Sequence, residues 1–228
     1  MNWLWSNLDR VGELLLVHLA LSVPAIILSF VVSVPIGWLA HRYRWSRAVL
    51  LSLCALLYAV PSLALFIALP AITGLSLRSP LNLVIALTLY GVAVIVRTAA
   101  EAFDAVEPDV LQSATAVGYS EVRRFWGVEL PLAGPVLLSG LRVVIVSTVS
   151  LATVGAVIGV QSLGSLFTDG FQRGIQVEIV TGIVATIALA LLLDWLAVLA
   201  GRGLMPWTRV GATRAAAGRR VATQAEAS

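Results

Sequence analysis

Five stretches of this sequence contain no aspartate, glutamate or arginine: 14–41, 48–77, 79–96, 143–168 and 179–193, with lengths of 28, 30, 18, 26 and 15 residues. A helix crosses the hydrocarbon core of a bilayer with about 20 predominantly apolar residues. Within lipid, every backbone polar group must be paired inside the protein, so apolar runs of this length have little choice but helix. The pattern predicts an all-α polytopic bundle of about five membrane-spanning helices, near 14–40, 48–69, 81–100, 135–160 and 177–200. The third and fifth reach full length only by including Arg97, which can snorkel to the interface, and Glu178 at the very start of its span. Pro70, Gly74 and Pro80 read as a break after the second span, followed by a re-entrant or surface stretch. Composition agrees: 59% of residues are hydrophobic and 12% charged, against about 45–50% and about a quarter in soluble domains. The first span is read as a retained helix, because Asp9 and Glu13 offset Arg10 before it and it exceeds a signal-peptide core. Pro24 and Pro35 are expected to kink it.

All 15 basic residues are arginine. With five spans, one set of loops holds twelve of them and the other holds three, Arg10, Arg78 and Arg173. The positive-inside rule assigns the twelve to the cytoplasm, which puts the N-terminus outside and the C-terminus inside. Residues 1–207 read as a single membrane unit, and 208–228, rich in Ala, Gly, Arg and Thr, as a disordered cytoplasmic tail.

What is missing excludes some functions and argues against others. Without lysine there is no Walker P-loop and no Schiff-base chemistry. One cysteine, Cys54, precludes an intrachain disulfide, and with two histidines it argues against a zinc site. A nucleic-acid partner is not expected, since the arginines lie between apolar segments and not on a basic face. An intramembrane protease would need a histidine beside its nucleophile, but His18 and His41 flank the first span at opposite ends and no H-E-x-x-H occurs. A secondary transporter or channel stays as the less favoured alternative: it would usually show an inverted repeat or broken helices in matching halves, and five spans do not divide into two equal halves.

Ten of the 27 charges fall between Arg97 and Arg142. This polar stretch reads as two short helices in a cytoplasmic loop, 101–134. The first follows Pro108, with Asp109 as cap and Val110, Ala114 and Val117 on one face. Gly118 suits the left-handed turn that ends it. Ser120 caps the second, on which Val122, Phe125 and Trp126 share a face, and Leu130–Pro131 mark the return to the membrane. Two readings of this loop stand: a partner-docking hairpin, or a solvated one without a partner.

The stretch QSATAVGYSEVRRFWGVELP (112–131) resembles the EAA loop of ABC importer permeases. Gln112, Ser113 and Ala114 occupy the Glu-Ala-Ala positions, Gly118 the glycine, Val128 the branched residue, and Leu130 and Pro131 the closing Leu-Pro. YAVPSLALF (58–66), LYGVAVIVRT (89–98), GLR (140–142) and IGVQSLGSLF (158–167) are similar to the osmoprotectant branch, with Gln161 and Ser162 in place of two glycines. The resemblance implies a permease subunit in a bacterial cytoplasmic membrane, importing glycine betaine, choline or carnitine. Its implied partners are a cytoplasmic ABC ATPase, an external substrate-binding protein, and a second permease subunit that is either a second copy or a similar chain. No cofactor is expected on this chain; ATP is used by the partner. The coupling residues it implies are Gln112, Ser113, Ala114, Gly118, Phe125, Trp126, Leu130 and Pro131.

Pro61 and Ser62, a Pro-Ser break in an apolar helix, read either as a pathway-lining position or as a simple kink. Tyr90 reads either as an aromatic face for a quaternary ammonium ion or as helix packing. Asp194 lies inside the last span, with Arg202 as the nearest basic residue in sequence. Pairing or interfacial exposure is expected of it more than a transport role.

Overall fold

The structure, a computed structural model, describes residues 2–207; the expected tail lies outside them. It is all-helical: α1 Asn2–Ser6, α2 Leu8–Arg42, α3 Arg44–Ala59, α4 Ser62–Thr73, α5 Pro80–Asp104, α6 Pro108–Ala116, α7 Glu121–Arg124, α8 Leu130–Val154, α9 Ser165–Arg173 and α10 Gln176–Leu204. A π-helical turn, Phe125–Glu129, joins α7 to α8. Among the described residues, four helical segments are long and apolar enough to cross a membrane: α2, α5, Glu121–Ile158 and α10. A fifth crossing requires α3 and α4 to act together.

That pair corrects the expected second span. The region does not run as one helix to Pro70; it bends by 108° between α3 and α4. Val60 and Pro61 are both extended, with ψ of 129° and 131°, as expected where a proline ring disfavours helix at the residue before it. Pro70, expected to end the span, sits inside α4. A proline deprives the carbonyl four residues earlier of its donor, here that of Phe66, and Asn82 Nδ2 of α5 donates to that oxygen at 3.2 Å. Helix α4 ends instead at Gly74, at a φ of 70°.

Helix α5 is the axis of the bundle. Leu83, Leu87, Ile95, Val96 and Phe103 are all fully buried or nearly so. It meets α2 along small residues: Ser29 opposes Gly91, where a Cβ would collide with the serine hydroxyl, and Gly37 opposes Ala99. Small side chains let membrane helices approach closely, and Ser29 Oγ adds a hydrogen bond to Thr88 O at 3.1 Å across the contact. At the far end of α8, Ser162 Oγ donates to Ala152 O at 3.2 Å and accepts from Gly164 N at 3.1 Å. The hydroxyl that departs from the glycine pattern thus satisfies the last turn of α8.

Charge segregates to the two ends. Arg10 pairs with Asp169 and with Glu178, at 2.9 Å for the latter, and Arg173 also pairs with the fully buried Glu178. Arg78 lies beside Gly159 in the same region. The three arginines of the minority set therefore cluster. At the opposite end Asp104 holds His41 at 2.6 Å and Arg47 at 2.7 Å, while Arg42 pairs with Glu121. Arg142 departs from the expected scheme. The twelve count it with the loops although the expected span 135–160 includes it, and the structure places it inside α8.

Candidate functional site: a bent-helix cavity and a helical loop

The bend between α3 and α4 opens a cavity of about 560 Å³ between that pair, α5 and α8. Leaving the helix strands the carbonyl of Val60, and an unpaired carbonyl in an apolar setting costs about 2–7 kcal/mol. Tyr90 of α5 donates its hydroxyl to that oxygen. The structure thus brings Ser62 and Tyr90 to one cavity, with Pro61 as the residue that shapes its wall. Tyr58 also lines it, its ring 6.5 Å from that of Tyr90 and nearly perpendicular, at 77°. The opposite wall is α8, which contributes Ser147, Thr148 and Ser150. Two tyrosines and four hydroxyl residues thus share the lining with aliphatic side chains such as Val94, Val144 and Leu151, and among the described residues no aspartate, glutamate, arginine or histidine lines it. Tyr58 and the α8 hydroxyls were missed from sequence. The available signal was three hydroxyl residues within four positions of an otherwise apolar run.

A charged pair also joins two of the spans. Arg142 of α8 pairs bidentately with Asp194 of α10, Nε to Oδ1 at 2.7 Å and Nη2 to Oδ2 at 2.8 Å. The partner of Asp194 is therefore this arginine of α8 and not Arg202.

The second candidate is the loop. Glu107 holds the N-cap position of α6 with Pro108 after it, so Asp109 lies in the first turn and is not the cap. There its carboxylate still favours the helix dipole. The face turned to the bundle is Leu111 and the buried Ala114, whereas Val117 is exposed, which corrects the expected Val110–Ala114–Val117 face. Gly118 adopts a φ of 89°. Ser120 Oγ accepts from Arg123 N at 3.4 Å, as a cap for α7. Gln112 and Ser113 are exposed on α6, and Leu130 and Pro131 start α8.

Phe125 does not share a face with Val122 and Trp126. Val122 and Trp126 are 70% and 65% exposed, while Phe125 packs on Trp38 and Phe103 with ring centroids 5.3 and 5.9 Å away. Phe125 begins the π-helical turn, and the wider turn re-aims the side chains relative to α-helical spacing. Glu129, unrecognised from sequence, closes that turn. It is buried and accepts from Trp38 Nε1 at 2.7 Å and Arg124 Nε at 2.8 Å, while Arg124 Nη1 donates to Thr115 Oγ1 at 3.1 Å. One carboxylate thereby ties α6 and α7 to α2.

Residues 33–206 match the family described as binding-protein-dependent transport system inner membrane component. The chain belongs to that family. This permease is 31% identical to the osmoprotectant import permease protein OsmW of Salmonella typhimurium over 199 residues, covering 86% of this chain and 92% of that one. It is 28% identical to the choline transport system permease protein OpuBB of Bacillus subtilis, covering 83% and 86% of the two chains. It is 35% identical over 158 residues to the ergothioneine transport permease/ergothioneine binding protein EgtU of Helicobacter pylori, covering 69% of the permease but only 27% of that longer protein. In fold it is similar to an inward-facing structure of the MetNI methionine ABC transporter, with a TM-score of 0.75 and 18% identity over 85% of this chain and 95% of that one. The permease is thus a polytopic transport subunit of the ABC importer type.

Proposed function

We propose that this permease imports small quaternary-ammonium or zwitterionic osmolytes, such as glycine betaine, choline or carnitine, across a bacterial cytoplasmic membrane. The observation that carries the reading is the cavity of Tyr58, Tyr90 and α8 hydroxyls without an ionic side chain. A permanent cation gains from aromatic faces, whereas a fixed carboxylate there would trap it. The similarity to osmoprotectant and choline permeases supports the same class. The match to EgtU supports a second solute, ergothioneine.

In this reading a partner ATPase supplies the energy, a substrate-binding protein delivers solute from outside, and a second permease subunit completes the pathway. The loop 101–134 lies in the cytoplasm and docks on the ATPase through Gln112, Ser113, Val122 and Trp126, exposed side chains that the bundle leaves uncovered. Phe125, Ala114 and Leu130 position that surface from behind, and Gly118 permits the turn between its halves. The N-terminus is outside, at the end where Arg10, Arg78 and Arg173 gather. The test is reconstitution in proteoliposomes with the candidate ATPase and binding protein. Labelled glycine betaine, choline, carnitine or ergothioneine should accumulate only when ATP and the binding protein are present. Uptake driven by an ion gradient with the ATPase absent would overturn the reading.

A further inference from the structure

The Arg142–Asp194 pair joins the interior of α8 to that of α10 on the outer surface of the bundle, and the aromatic cavity does not include it. Arg142 is twelve residues along α8 from Leu130, about 18 Å at the helical rise, and Asp194 is ten residues before Leu204 on α10, about 15 Å. A charged side chain inside a membrane-spanning segment is costly and marks a functional position by default.

The two partners are covered unequally. The Asp194 side chain is 19% exposed, but that of Arg142 is 47% exposed. Asp194 occupies Nε and Nη2, leaving the Nη1 edge of a five-donor fork outside the pair. Arg142 and Asp194 line a recess of about 450 Å³ that shares Val146 and Ser147 with the aromatic cavity. The two recesses are consecutive on one face of α8, and Ser147 lies five residues, about 7.5 Å, from Arg142.

We propose that Arg142 is a carboxylate-binding station on the transport path, pre-positioned by Asp194, for zwitterionic solutes whose cationic head has been held by the tyrosines. The proposal rests on the substrate class given above and deepens it. A guanidinium fork matches a carboxylate bidentately, and a membrane path requires binding weak enough for release. Asp194 meets both needs: it orients the fork, and it neutralises the charge so that neither the carboxylate is retained nor the quaternary ammonium repelled.

The test uses the full complex in proteoliposomes, with labelled glycine betaine, which carries a carboxylate, and choline, which does not. The double variant Arg142→Gln/Asp194→Asn keeps an amide pair between α8 and α10 while removing both charges. It should lower glycine betaine uptake by at least about tenfold and leave choline uptake within about twofold. If the double variant fails to assemble with the ATPase, Arg142→Lys provides the comparison, and a selective loss of glycine betaine is again expected. Equal losses for both solutes would make the pair a structural strut and overturn the station, as would unchanged glycine betaine uptake. If the wild type carries only glycine betaine, the kinetic split decides: Arg142→Lys should raise the KM for glycine betaine, and a fall in maximal rate at unchanged KM overturns the station. A wild-type complex that accumulates choline but no carboxylated solute overturns the station and leaves the osmolyte reading intact. One that accumulates neither overturns the osmolyte reading and the station with it.

Discussion

Gly118 holds a φ of 89° with open space where a Cβ would stand, so the backbone angle and not crowding constrains that position. An L-residue there costs about 1–2 kcal/mol, while asparagine enters the left-handed region more readily than most. Gly118→Val should therefore insert normally but transport more slowly than wild type, with Gly118→Asn close to wild type; membrane abundance and initial uptake rates measure both. Glu129 makes a sharper case. Replacing it by alanine leaves Arg124 and Trp38 without their common acceptor, and breaking a buried ion pair costs about 3–5 kcal/mol. The loop should loosen, and limited trypsin digestion after Arg123 and Arg124 should accelerate several-fold in Glu129→Ala relative to wild type. Equal digestion rates would mean that the carboxylate does not anchor the loop. The sequence marks Gly118 because a glycine between two amphipathic segments is a local sign. Glu129 could not be read the same way, because its partner Trp38 lies 91 positions away.

The α3–α4 pair shows what local sequence leaves open. Pro61 and Pro70 interrupt the same apolar run, and the sequence-based expectation ended the span at the second. Which proline bends the chain is decided by donors on another helix. Asn82 pairs the carbonyl left open by Pro70, where α4 continues to Thr73, and Tyr90 donates to the carbonyl freed by the bend at Val60. Asn82→Leu should consequently destabilise α4 by about 1–3 kcal/mol, the cost of leaving the Phe66 carbonyl buried and unpaired. A lowered melting temperature of the detergent-solubilised complex is the readout, and an unchanged one would mean that the Asn82 amide does not support α4. Within the loop, the expected two-helix outline and the Ser120 cap were legible from spacing. The inward turn of Phe125 was not, since α-helical periodicity does not anticipate a π-helical turn.

For the whole molecule, the charge-free windows identified the helical bundle, because lipid leaves an apolar run of that length few alternatives. They did not reveal which polar side chains face a shared space, since Tyr58, Tyr90 and Ser147 belong to three separate helices. The orientation proposed for the bundle makes a direct prediction. In a Cys54→Ser background, Phe171→Cys should react with an impermeant thiol reagent on intact cells, whereas Trp126→Cys should react only after permeabilisation. Both side chains are exposed in the structure, 81% and 65% respectively, so a difference in labelling reports sidedness. Reaction of position 126 from outside would invert the topology. The bend at Val60 and Pro61 also bears on how the chain is made. Both hydrogen bonds that pair the stray carbonyls of this region come from α5, which leaves the ribosome after α3 and α4. Neither α3, about 24 Å long, nor α4, about 18 Å, is long enough to cross the hydrocarbon alone. During biogenesis the pair must therefore wait, sheltered at the insertion machinery or shallow in the bilayer, until the following helix arrives to complete it.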